Sequence, residues 1–158
     1  MRKRLSFLLV AVLAVFTASS AQAWFATEPK AANGSGQVAI SVYNNASADL
    51  DAGDVVVWDL DASTGDNDLY VTTTTTVETG LVAGVVWPAA ISDGNTGSIV
   101  VYGQAECDVS TGVEAAGVLC SSATAGSGRS CTNPYYKYAI ANTVAVAGGQ
   151  TACFVTGQ

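Results

Sequence analysis

From residue 24 onward the apolar residues of this chain fall in short β-branched runs, and no window keeps the 3.6-residue period of a capped amphipathic helix. Gly, Asp, Asn or Pro closes several of these runs, and these are residues that end or turn strands. Alternation starts at Gln37, with Val38, Ile40 and Val42 on one face, while Val55-Val56-Val57-Trp58 reads as buried on both faces. Further strands are expected over residues 69–77, 81–87, 98–109, 117–121, 135–141, 143–147 and 151–156. Pro88 should end the 81–87 run or push it to an edge, and Gly148-Gly149 signals a tight hairpin. A short helix fits only near residues 111–116. The expectation is all-β: a small β-sandwich or barrel of about eight or nine strands with an extended N-terminal arm.

Residues 1–23 read as a signal peptide, and the chain divides accordingly into an arm over residues 24–36 and a β-domain over residues 37–158. Arg2, Lys3 and Arg4 precede an apolar stretch from Leu5 to Phe16, and Ala21-Gln22-Ala23 offers a small-residue cleavage site. Twelve residues fall short of the roughly 20 that cross a bilayer. Cleavage leaves Lys30, Arg129 and Lys137 against thirteen acids, a net charge of −10. A chain so acidic lacks the basic patches that nucleic acids and anionic membranes require. A secreted location also suits the four cysteines, Cys107, Cys120, Cys131 and Cys153, which imply two disulfides. Three connectivities are open to them. The preferred one joins Cys120 to Cys131 around Gly126, Gly128 and Arg129, with Cys107 and Cys153 paired between strands.

The chain has no histidine, which removes the commonest general base and zinc ligand together. The expectation is a protein that is no enzyme and carries no cofactor. Glu106 and Asp108 share a strand face, and paired carboxylates serve glycosidases, but nothing around them marks a cleft. No motif surrounds Lys30 or Lys137 to make a serine–lysine dyad. Calcium is the one metal considered: Asp59, Asp61, Asp66 and Asp68 crowd a Gly-containing loop, without the spacing of an EF-hand. The alternative is a solvated turn. Asn33 and Asn45 each begin a glycosylation triplet, and the run Thr72 to Thr76 offers hydroxyls for attached sugar or cross-strand pairing. Trp58 and Trp87 lie within valine runs and are expected in the core.

Trp24 and Phe25 stand apart from these runs. Two large aromatics ahead of a small-residue linker either fold back on their own domain or dock on a neighbouring subunit. In the second case Val38, Ile40 and Val42 would continue the strand register. Head-to-tail docking that does not close into a ring builds a filament.

Several stretches carry a family resemblance. Asp51-Ala52-Gly53-Asp54-Val55-Val56-Val57 and Gly80-Leu81-Val82-Ala83-Gly84-Val85-Val86 resemble the capsid-decoration (cement) proteins of tailed bacteriophages. So do Ser92-Asp93-Gly94-Asn95-Thr96-Gly97-Ser98-Ile99-Val100-Val101-Tyr102-Gly103, Ala115-Ala116-Gly117-Val118-Leu119 and Ala123-Thr124-Ala125-Gly126. The match spans residues 48–156. It implies a compact β-barrel-like domain that binds and stabilises protein lattices and has no catalytic residues. The signal peptide and cysteines depart from a phage head assembled in the cytoplasm.

Together these readings describe a secreted structural subunit that self-assembles head to tail into an extracellular filament or surface layer. It would be a polymeric homo-oligomer, with no nucleic acid or membrane partner and with attached glycan as an open feature. The alternative is a secreted monomeric module that binds glycan or calcium.

Overall fold

The computed structural model describes residues 36–61 and 69–157. Nine strands are found there: β1 (Val38–Asn44), β2 (Val55–Trp58), β3 (Tyr70–Thr72), β4 (Val82–Val86), β5 (Thr96–Val109), β6 (Val118–Ser121), β7 (Gly128–Ser130), β8 (Ala139–Ala141) and β9 (Gly149–Val155). No α-helix occurs among the described residues, so the turn at 111–116 is not helical. Instead Val113 bridges to Ala145, and Ala116 closes the turn at a φ of 62°.

Strand pairing closes two circuits. The first, β1-β3-β2-β4-β5 and back to β1, is a five-stranded barrel; the second runs β5-β7-β6-β8-β9 and returns to β5. β5 belongs to both. Its first half pairs with β1 and β4, and residues 103–109 pair with β9. At the junction the register against β1 slips, with Val38 opposite Tyr102 and Ala39 opposite Val100, and Gly103 adopts a φ of 107°.

β5 must bend sharply at this point. Ile99 lies opposite Val86, the Val86 carbonyl accepts the Gly53 N–H at 2.8 Å, and the Gly53 carbonyl accepts the Asp108 N–H at 2.9 Å. A straight strand would separate Ile99 from Asp108 by about 30 Å, too far for that chain of contacts. A bulge beside a left-handed glycine supplies the bend.

The bend creates two cores from one sheet. Val42, Leu50, Val56, Val71, Val86 and Ile99 fill the barrel. Val55, Val57, Val82, Val85 and Val100 face the other way, against Cys107, Val109, Leu119, Ala139 and Cys153. β2 and β4 are therefore buried on both faces, which is why Val55-Val56-Val57 is uninterrupted. Trp58 and Trp87 are partly buried at the edges of these clusters.

Three expected strands change in extent, and one strand is new. The threonine run contributes only Thr72 to β3; beyond it Thr74 Oγ1 accepts the Thr76 N–H at 3.0 Å, a local bond that competes with a ladder. Residues 135–141 yield only β8, because Asn133 caps a 3-10 turn at Pro134–Tyr136. Residues 143–147 make one bridge, leaving Val144 and Val146 exposed. β7 was not expected: Gly128-Arg129-Ser130 has no β-branched residue, and Arg129 is set beside Cys120 by the neighbouring disulfide.

Candidate functional site

The seam at Gly103 is where the two circuits meet and where the upstream chain arrives. Gly36 and Gln37 press on Gly103 so closely that a Cβ there would lie 2.7 Å from the Gln37 Cα. Gln37 Nε2 donates to the Gln104 carbonyl. Beyond the seam, residues 104–107 pair with β9 on one edge, and no described strand pairs with the other.

A band of partly exposed apolar side chains runs across the strands from this point. Val38 lies opposite Tyr102; Gln104 is opposite Phe154, Phe154 opposite Ile140, and Ile140 opposite Val118. Paired residues share a face, so these side chains lie on one surface. Tyr102 and Phe154 pack edge to face with ring centroids 5.1 Å apart, and Tyr102 remains 48% exposed. The same surface carries exposed Glu106 two residues along β5.

At the far end of β5, Asp108 meets the turn before β2. A Cβ on Gly53 would fall 2.8 Å from Asp108 Oδ1. Asp54 Oδ2 accepts the Asp51 N–H at 2.8 Å. Burial pushes the Asp54 carboxyl up to about 6; the Asp51 N–H opposes this, and the charges of Asp108 and Asp51 add to it. Beside Asp108 opens a groove of about 490 Å³, lined also by Ser110, Thr124, Ser127 and Gln150. Hydroxyls, an amide and a carboxylate equip it for hydrogen bonding. Glu106 and Asp108 lie two apart on β5, as expected of a shared face, and the fold also brings Asp108 to Asp54. The Asp-Ala-Gly-Asp turn was legible, but its proximity to residue 108 was not.

The remaining expected residues divide clearly. Cys107–Cys153 and Cys120–Cys131 are both disulfides, the first between β5 and β9 and the second beside β6 and β7. Val38, Ile40 and Val42 belong to a strand paired within its own chain, with Val42 in the barrel core and Ile40 packed against it. They therefore do not extend an arm onto a neighbour; their neighbours in the ladder are residues of their own β5. Asp59 accepts hydrogen bonds from Asn45 Nδ2 at 2.7 Å and from the Asp61 N–H at 3.1 Å, which organise a turn. No group of three metal-ligating side chains exists among the described residues. Trp24, Phe25, Asn33, Asp66 and Asp68 lie outside the described residues.

Neither a family model nor a curated protein matches the chain. Among solved structures, it is similar to the N-terminal base of the head fibre protein gp8.5 of bacteriophage phi29. That likeness has a TM-score of 0.55 at 13% identity and covers 75% of this chain and 95% of that one. At this identity the likeness is one of fold.

Proposed function

We propose that this protein is an exported, non-enzymatic structural subunit that assembles head to tail into an extracellular filament or surface layer. The observation that carries this reading is the fold shared with the base of a viral head fibre over nearly the whole of that domain. Two disulfides suit a subunit that must persist in an oxidising medium. The lack of histidine in the whole chain and the basic–apolar–small pattern of residues 1–23 point the same way. Negative-stain microscopy and sedimentation of the purified, exported protein test the reading. Filaments or sheets of the single chain support it. A monomer at every concentration, or measurable calcium or glycan binding by that monomer, overturns it in favour of a binding module.

A further inference from the structure

Resting on that proposed assembly, the geometry points to the acceptor site: we propose that the open edge of β5 at residues 104–106 and the apolar band beside it receive residues 24–35 of a second copy as an added strand. No described strand pairs with this edge, where the Gln37 side chain takes the Gln104 carbonyl, and an open strand edge is the usual place for an extended segment to add. The band Val38, Tyr102, Phe154, Ile140, Val118 borders that edge and leaves an aromatic pair partly in water.

The occupant follows from what the chain itself has to offer. Residues 24–35 hold Trp24 and Phe25, aromatics suited to the half-exposed Tyr102–Phe154 pair. They also hold Lys30, one of only three basic residues after position 23, opposite a surface that displays Glu106. Twelve extended residues reach about 40 Å. Residues 104–106 span about 10 Å along β5, so the segment is long enough to reach this edge from a neighbouring molecule. The competing occupant is the same chain's own segment, since Gly36 and Gln37 reach the start of this edge.

The test uses the exported chain in three forms: unaltered, with its arm changed (Trp24→Ser with Phe25→Ser), and with its face changed (Ile140→Glu with Phe154→Glu). A milder face variant, Tyr102→Lys, guards against misfolding, and thermal melts with thiol titration establish that each form is folded. The unaltered protein should polymerise, and each variant alone should remain monomeric. An equimolar mixture of arm and face variants should give dimers and no longer species, because each mixture holds one sound arm and one sound face per pair. Polymers from a folded face variant overturn the acceptor site while leaving head-to-tail assembly intact. Polymers from the arm variant overturn the assigned occupant. Monomers in the mixture show that the arm docks on its own domain and overturn exchange between copies. If the unaltered chain itself never polymerises, it is the assembly reading that fails.

Discussion

Replacing Asp54 by Asn tests whether the junction between the β2 turn and β5 is built around a carboxyl that resists ionisation. Asp54 is partly exposed, accepts the Asp51 N–H, and sits near Asp108 and Asp51 with its pKa raised from 3.8 to about 6. The folded state thus holds this proton more tightly than the unfolded chain does. Its contribution to stability is complete below pH 4 and is lost as pH rises through about 6. In a fully dry site, a displacement of this size corresponds to about 3 kcal/mol. Solvent screening at a partly exposed group reduces that to about 1 kcal/mol. Asn keeps an oxygen for the Asp51 N–H and carries no charge. Asp54→Asn should therefore match the parent at pH 4 and exceed it by about 1 kcal/mol at pH 8, or about 3–6 °C in Tm. Urea and thermal melts of both proteins from pH 4 to pH 8 measure the difference directly. A gap that is constant across this range, or a variant weaker at pH 8, would refute the reasoning. An NMR titration of the Asp54 carboxyl with a midpoint near 4 would do the same.

Three further outcomes follow from the packing. Removing Cys107–Cys153 by paired Ala substitutions should cost about 4 kcal/mol and removing Cys120–Cys131 about 3 kcal/mol, since the closed spans are 46 and 11 residues. Denaturant melts of each pair against the parent check both the size and the order. Among the described residues the buried Tyr138 hydroxyl has no hydrogen-bond partner, so Tyr138→Phe should leave stability unchanged or raise it by about 1 kcal/mol, as read by calorimetry. A Cβ on Gly97 would lie 2.4 Å from Ile91 Cγ1 and 2.8 Å from Cδ1. Gly97→Ala should therefore destabilise by about 1–3 kcal/mol, and a double-mutant cycle with Ile91→Ala should recover part of that loss.

The physical division between what could be read early and what could not is visible in particular residues. Strand content follows from local chemistry: β-branched runs favour extended backbone, and Gly, Asp and Pro end it. Hence the long run ending at Val109 was legible, as was Val55–Trp58 with its burial on both faces. The same reasoning failed where a local hydrogen bond or a staple outweighed propensity. Thr74 turns its own run, Asn133 caps a 3-10 turn, and the Cys120–Cys131 bridge holds a strand of Gly, Arg and Ser that propensity alone would leave as a loop.

By itself the sequence determined the class of the molecule: all-β, without histidine, with four cysteines positioned in its last third and aromatics isolated ahead of the first strand. These are properties of composition and nearest neighbours along the chain. Only the tertiary structure decided that β5 bends at Gly103 and serves two circuits, that Val38, Ile40 and Val42 belong to their own barrel, and that Asp108 meets Asp54. Each depends on contacts between residues tens of positions apart. Such contacts are set by how the apolar faces of β2, β4 and β5 are shared between two cores, and no local pattern encodes that.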